Sequence, residues 1–145
     1  MIIDTFKGEY GFLSNFYPAP VEFEGILYPT VEHAYQAAKT LDGVTRRAIA
    51  NLSTPGRAKK MGRELTLRPN WEQIKLAVML DLLRQKFWGS KRLYDALLAT
   101  GDSILVEGNT WGDDFWGDDF RTPRGNNWLG HLLMVVRSEL HLYQW

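Results

Sequence analysis

The chain has 145 residues, 17 basic and 17 acidic side chains and a hydrophobic fraction of 45%, which suits one ordinary folded domain and excludes a disordered chain. The lack of cysteine excludes disulfides and thiolate metal sites, and the balanced charge argues against a large non-specific nucleic-acid surface. Because the N-terminus lacks a signal-peptide pattern and no apolar run is long enough to span a bilayer, we expect a cytoplasmic protein with one domain over residues 1–145 and no membrane partner.

The predicted elements are short strands mixed with helices. Strands are expected at residues 2–6, 21–24, 26–28 and 104–107. Helices are expected at residues 31–41, 45–52, 55–62, 70–88, 91–99 and 126–142. The helix at 70–88 is apolar on two sides, which is typical of a central packing element without a chemical role. Since no regular strand–helix–strand repeat is present, this order predicts an α+β fold, a single helix-rich domain with a few short strands.

The stretch Tyr-Pro-Thr-Val-Glu-His-Ala-Tyr-Gln-Ala-Ala-Lys at residues 28–39 joins a strand end to a helix. Thr30 can cap that helix by accepting a hydrogen bond from a free backbone N–H. Helical spacing then puts Glu32, Gln36 and Lys39 on one narrow stripe beside an apolar face. A solvated helix face is one interpretation of this stripe, and a catalytic site is the other.

Two further polar regions each allow two interpretations. Residues 111–120 repeat the pentapeptide Trp-Gly-Asp-Asp-Phe, and such a carboxylate-rich loop is either a metal site or a solvated turn, although its spacing is not that of an EF-hand. The cations of residues 55–63 are either solvated or in part phosphate ligands; they are Arg57, Lys59, Lys60 and Arg63.

The three histidines lack metal-ligand spacing, so we expect them to be structural.

The 28–39 stretch is similar to the signature of the NADAR, or YbiA-like, family of N-glycosidases. Other stretches resemble further blocks of that family and follow in its order over nearly the whole chain. They are Ser14-Asn15-Phe16, Met61-Gly62-Arg63, Asn70-Trp71-Glu72, Lys86-Phe87, Leu105-Val106-Glu107, Trp116-Gly117 and Asn127-Trp128-Leu129-Gly130, with Leu133-Met134 and Arg137. The resemblance implies a YbiA-like fold. The chain departs from the family where Asp118-Asp119 replace the glycine that usually follows Trp-Gly.

Cleavage of an N-glycosidic bond requires a carboxylate, an aromatic platform for the base and polar groups that hold a phosphate. A lysine of lowered pKa can alternatively trap C1 of the sugar as a Schiff base. The family blocks supply candidates for each of these roles. The predicted catalytic residues are Lys39, Glu32 and Asp113. The predicted substrate-binding residues are Asn15, Phe16, Gln36, Arg63, Glu107, Trp116 and Asn127. A structural hydrogen-bonding role is the other interpretation of Glu107.

The resemblance implies two substrates. One is a phosphoribosylated pyrimidine intermediate of riboflavin synthesis, and the other is ADP-ribose attached to guanine in nucleic acid. The family's lysine is thought to attack the ribose in the second case, ADP-ribose on guanine, which favours Lys39 as nucleophile. No cofactor or metal is expected. The balanced charge fits a small nucleotide or sugar phosphate better. Two other classes remain open: a non-catalytic ADP-ribose- or nucleotide-binding module, and a metal-dependent phosphoesterase that uses the aspartate loop.

Overall fold

The fold is α+β, as predicted. The computed structural model describes residues 1–121 and 125–143. The helices are α1 (Val31–Ala38), α2 (Gly43–Ala50), α3 (Pro55–Gly62), α4 (Trp71–Trp88), α5 (Lys91–Ala99) and α6 (Trp128–Tyr143), with a 3₁₀ helix over Gly8–Leu13. The strands are β1 (Ile2–Ile3), β2 (Val21–Phe23), β3 (Ile26–Tyr28), β4 (Ile104–Leu105), β5 (Gly108–Asn109) and β6 (Asp118–Asp119). Within the described ranges, no helix combines the length and apolarity needed to cross a membrane.

The chain divides into two compact units. The signature unit is Asn15–Lys86, which contains the stretch at residues 28–39. The loop unit is Met1–Ser14 together with the described residues from Phe87 onward, which include the repeated pentapeptide. The expectation of one domain over residues 1–145 stays a prediction.

Helix α1 is the centre of the signature unit. It packs against α2 and α3 and against the antiparallel hairpin of β2 and β3, and all eight of its residues are buried. The Thr30 hydroxyl caps the helix by accepting from the backbone N–H of His33 at 3.1 Å, as predicted. Glu32 and Gln36 are only 7% and 4% exposed, so the interpretation of their stripe as a solvated helix face is wrong.

The end of α1 differs from the prediction, which extended the helix to residue 41. The carbonyl of Lys39 accepts a hydrogen bond from the backbone N–H of Arg68 at 2.7 Å and therefore leaves the helical pattern. Asp42 caps the following helix through the backbone N–H of Thr45, which makes α2 begin two residues earlier than expected. Helix α1 therefore ends at Ala38, and Lys39 lies at its C-terminal end, just before the short connection to α2.

Helix α4 supplies many of the buried apolar side chains, as its two apolar stripes indicate. Trp71, Met79, Leu82 and Leu83 are each no more than 4% exposed. Leu80 is half-buried, so the second stripe is less completely covered than the sequence predicts. In the signature unit, the Trp71 ring contacts Tyr35 of α1 with a centroid separation of 5.3 Å.

The loop unit contains two short parallel strand pairs. Strand β1 pairs with β4, and α6 packs on β4 and against α5. The second pair, β5 with β6, lies in a region for which the sequence predicted neither a strand nor a helix. That expectation was wrong because the pairing joins residues that are ten positions apart, which local sequence patterns do not encode.

Candidate active site

Lys39 is the last residue of the signature stripe and is half-buried. It follows α1 with helical dihedral angles, φ −66° and ψ −21°, so its side chain continues the stripe of Glu32 and Gln36. Its Nζ lies 5.5 Å from the centroid of the Tyr35 ring, one turn back along the helix. The lysine stem therefore lies against a buried aromatic ring, with the amine at its end.

Burial lowers the pKa of Lys39 below its ordinary value. Glu32 opposes this shift because its negative charge favours the ammonium form, and the positive charges of Arg63, Lys59 and Lys75 add to it. The direction of the pKa shift is the one that an amine nucleophile requires, since only the neutral amine can attack carbon.

Glu32 is held from two sides within the signature unit. Its backbone N–H donates to the carbonyl of Asn15 at 3.1 Å, and its Oε1 accepts from Gln36 Nε2 at 2.9 Å. The Asn15 side chain is buried beside this junction, with Nδ2 3.6 Å from Met79 Sδ. A carboxylate fixed in this way can stabilise positive charge or move a proton at a defined position.

Three further cations lie close enough to Lys39 to act on its charge. Lys59 lies 6.0 Å from the ring centroid of Phe16, which is itself exposed. Arg63 directly follows α3 and is exposed, and Lys75 of α4 forms an ion pair with Glu72. The sequence analysis missed Lys75, because nothing local in an apolar helix marks one lysine as lying near another helix. Together these cations suit an anionic ligand.

In the loop unit, Asn127 connects two backbone groups around the end of β4. Its Nδ2 donates to the carbonyl of Leu105 at 2.9 Å, and its Oδ1 accepts from the backbone N–H of Glu107 at 2.9 Å. Both ends of the amide are therefore engaged. This geometry assigns Asn127 a part in positioning Glu107, in addition to the predicted substrate contact.

The Trp116 segment is shaped by side chains that accept backbone hydrogen bonds. Asp113 Oδ1 accepts from the backbone N–H of Trp116 at 3.0 Å. Asn109, only 2% exposed, accepts from the N–H of Asp113 at 3.1 Å and donates to its carbonyl at 2.9 Å. A Cβ on Gly117 would lie 2.3 Å from the carbonyl oxygen of Glu107, so only glycine allows this close approach. The sequence analysis missed Asn109, although an asparagine ahead of a turn is a usable signal.

The other aspartates of the repeated pentapeptides also bind protein groups. Asp119 accepts from the guanidinium of Arg121 at 2.8 Å and from two backbone N–H groups, and these bonds lower the pKa of the Asp119 carboxyl. Asp118 Oδ1 accepts from the backbone N–H of Gly125 at 3.2 Å. Among the described residues, no group of three or more His, Asp or Glu side chains could hold a metal ion.

The predicted site residues fall into one group in each unit. Those of the signature unit are Asn15, Phe16, Glu32, Gln36, Lys39 and Arg63. Those of the loop unit are Glu107, Asp113, Trp116 and Asn127. The signature group joins a buried carboxylate to a lysine of lowered pKa within a set of cations, whereas the loop group orders a turn beside Glu107. The roles of both groups in a reaction stay predictions.

The sequence pattern of the NADAR domain family matches residues 4–141. The chain is 43% identical over 134 residues to N-glycosidase YbiA of Escherichia coli (strain K12), covering 91% of this chain and 82% of the relative. It is 38% identical to an N-glycosidase of Nostoc punctiforme, covering 90% of this chain and 86% of the relative. A riboflavin biosynthesis protein of Vibrio vulnificus is 38% identical over 90% of this chain, which spans 36% of that relative. The NMR structure of Escherichia coli YbiA superimposes with a TM-score of 0.84 at 40% identity, covering 97% of this chain and 86% of that one.

Proposed function

The chain belongs to the NADAR domain family and is a hydrolase of N-glycosyl bonds, and we propose that it cleaves the C1–N bond of a phosphoribosylated pyrimidine. The proposed substrate is the phosphoribosylated pyrimidine intermediate of riboflavin synthesis. It is supported by the relatives called N-glycosidases and by the relatives in Vibrio vulnificus and Zea mays that are called riboflavin biosynthesis proteins.

One observation carries the proposal: a half-buried lysine of lowered pKa shares a helix stripe with a buried carboxylate and is surrounded by cations. The amine of Lys39 supplies the nucleophile and Glu32 the proton carrier. Arg63, with Lys59 and Lys75, supplies the positive field that a sugar phosphate requires. Glu32 and Lys39 are seven residues apart, about 10 Å along a helix axis, so a ribose held beside the helix would meet both at its two ends.

The reaction has two stages. The neutral Nζ of Lys39 attacks C1 while the bond from C1 to the base nitrogen breaks, and the base leaves with the bonding electrons. Glu32 carries the proton that Nζ loses to the departing base. The ring bond from C1 to oxygen then opens, the ring oxygen takes up a proton, and a Schiff base joins Lys39 to C1. Water adds to C1, expels the amine and restores the free lysine with ribose 5-phosphate.

The residues of the loop unit have predicted roles in the same reaction. Trp116 supplies an aromatic surface for the base, and Glu107 and Asn127 supply polar contacts. Asp113 is the second predicted acid of the reaction. Its Oδ1 accepts from the backbone N–H of Trp116, so Oδ2 is the oxygen proposed to carry a proton.

The test is incubation with the phosphoribosylated pyrimidine, followed by mass spectrometry of the products. We expect ribose 5-phosphate and free base from the wild type and none from Lys39→Arg, because a guanidinium stays protonated and cannot form the Schiff base. Lys60→Arg, on an exposed lysine of α3, is the matched control and should keep wild-type turnover. A Lys39→Arg variant with near wild-type turnover would remove the nucleophile assignment.

Two further measurements separate the other classes of function. Borohydride added during turnover should trap an adduct on Lys39, whereas a nucleotide-binding module would bind ligand without adduct or product. EDTA should leave the rate unchanged, whereas it would stop a metal-dependent phosphoesterase. A parallel incubation with an oligonucleotide carrying ADP-ribose on guanine tests the second substrate, and release of ADP-ribose at the higher rate would replace the proposed one.

A further inference from the structure

The side chain of Gln36 packs along its length over the backbone of Gly62, the last residue of α3. A Cβ built on Gly62 would lie 1.8 Å from Gln36 Oε1, 2.6 Å from Cδ and 3.1 Å from Cβ. Gly62 does not have a positive φ, and alanine is the better helix former. Glycine at this position therefore provides the space that the Gln36 amide occupies, and backbone conformation does not call for it.

This packing closes one end of the Gln36 amide to any ligand. Gln36 is 4% exposed, and its Oε1 is fully buried without a hydrogen-bond partner in the described part of the chain. The Nε2 end donates to Glu32 Oε1 at 2.9 Å. A substrate cannot reach Oε1 without displacing α3, so the predicted role of Gln36 as a substrate contact fits this geometry poorly.

We propose that Gln36 and Gly62 form a positioning pair that holds the carboxylate of Glu32, with Gly62 providing the space in which the Gln36 amide is locked. The inference rests on the proposed function, in which Glu32 carries protons. Gln36 is thus a positioning residue that acts through Glu32 and makes no contact with the substrate.

The orientation of the amide has a chemical consequence. An N–H group aimed at a carboxylate oxygen favours the ionised carboxylate, and a flipped amide would place two acceptor oxygens together. The charged groups that act on Lys39, which follows Glu32 and Gln36 on the same stripe, are Glu32 itself, Lys59 and Arg63 on and after α3, and Lys75 on α4. The Gln36 amide is the group that selects which Glu32 oxygen is held, since its Nε2 donates to Oε1.

The first test is Gln36→Ala, measured by its kinetics over a range of pH. We expect kcat to fall about 10- to 100-fold, as misplacement of a catalytic group does, with KM unchanged within about twofold because no substrate contact is lost. The loss in kcat should appear at every pH tested, because the Glu32 carboxylate is misplaced whatever the pH. An increase in KM with unchanged kcat would overturn the inference and make Gln36 a substrate contact.

The second test is Gly62→Ala, alone and combined with Gln36→Ala. Alone, it should lower both the thermal midpoint and kcat, because the new methyl group occupies the place of the amide. Combined with Gln36→Ala, it should cost little more than Gln36→Ala alone, since the amide is gone and only the 3.1 Å approach to the Cβ of residue 36 remains. Gly56→Ala is the matched control in the same helix, where a Cβ meets only ordinary contact at 3.9 Å. Additive losses from Gly62→Ala and Gln36→Ala would overturn the pairing.

Glu32→Gln separates failure of this inference from failure of the proposed function. If Glu32→Gln keeps wild-type turnover, Glu32 carries no proton in the reaction and the inference falls with that assignment. If Glu32→Gln is inactive while Gln36→Ala keeps the wild-type kcat and pH profile, only the positioning inference is overturned. Loss of activity in both variants, with wild-type KM in Gln36→Ala, supports it.

Discussion

The charge of Lys39 is set by groups that the sequence distributes over three helices. Glu32 and Lys39 lie on one stripe because of helical periodicity, so their proximity could be predicted from residues 28–39 and from the family resemblance. Lys75 of α4 and the space above Gly62 could not, because both depend on how separate helices pack. At the scale of residues, the sequence identifies Glu32 and Lys39 as the reactive pair. It does not identify the groups that shift the pKa of Lys39 or hold Glu32 in place.

The first prediction concerns the pH dependence of kcat/KM. Only the neutral amine of Lys39 reacts, so kcat/KM should rise with pH and level off below the ordinary lysine pKa of about 10.4. Arg63→Met removes a positive charge that lowers the pKa of Lys39. The pKa should therefore rise, and the limb of the profile should move to higher pH.

The control for Arg63→Met is Lys60→Met, because Lys60 is exposed on α3, which Arg63 directly follows, and is not among the groups that act on Lys39. Its profile should coincide with that of the wild type. Arg63 is also a predicted phosphate contact, so the maximal kcat/KM is expected to fall in Arg63→Met. The quantity compared is therefore the pH at which kcat/KM rises, not its maximum. A limb that stays in place or moves to lower pH in Arg63→Met would contradict the prediction.

At the scale of elements, the repeated pentapeptide shows how far local sequence decides structure. The first copy forms a turn in which Gly112 has φ +88°, whereas the second copy contributes β6 and brings Gly117 against the backbone of Glu107. Identical residues thus adopt two conformations, since only the second copy pairs with β5. The cap at Thr30 was predicted from the sequence because a cap is a local interaction, and Thr54 and Ser90 cap α3 and α5 in the same way.

The second prediction compares the tryptophans of the two copies. Trp116 is half-buried and contacts Phe115 with ring centroids 4.8 Å apart, whereas Trp111 is 54% exposed. Trp116→Ala should raise KM about 10-fold or more if its ring stacks on the base, while its backbone bonds to Asp113 and Leu129 remain possible. Trp111→Ala should leave KM close to the wild-type value. Equal effects on KM from both variants would remove the assignment of Trp116 to the base.

The third prediction concerns the packing of α4. Leu83 is fully buried, so Leu83→Ala should lower the free energy of unfolding by about 2–4 kcal/mol, as deletions from a packed core do. Leu80 is half-buried on the same helix, and Leu80→Ala should cost clearly less. Denaturant unfolding of the two variants measures the difference. A negligible change in the free energy of unfolding of Leu83→Ala would mean that α4 is not a central packing element.

At the scale of the whole molecule, the order of elements predicted the α+β class because strand and helix signals are local and numerous. The sequence did not predict the division into the signature unit and the loop unit, because each is assembled from contacts between distant segments. Net charge is a whole-molecule property that the sequence gives directly, and here 17 basic side chains balance 17 acidic ones. The cations around Lys39 are thus a local feature of a chain that has no net positive charge.

The last prediction uses this charge balance to choose between the two substrates. A protein that contacts 6–10 phosphates of a nucleic acid loses about 10³- to 10⁵-fold in affinity when salt rises from about 50 to 200 mM. A single sugar phosphate held by a few local cations releases few counterions, so kcat/KM for the phosphoribosylated pyrimidine should fall by less than about threefold over that range. The same series with an oligonucleotide carrying ADP-ribose on guanine should give a lower kcat/KM at every salt concentration. A higher kcat/KM for the oligonucleotide at low salt, with a steep fall as salt rises, would mean that an extended phosphate backbone is recognised and that nucleic acid is the preferred substrate.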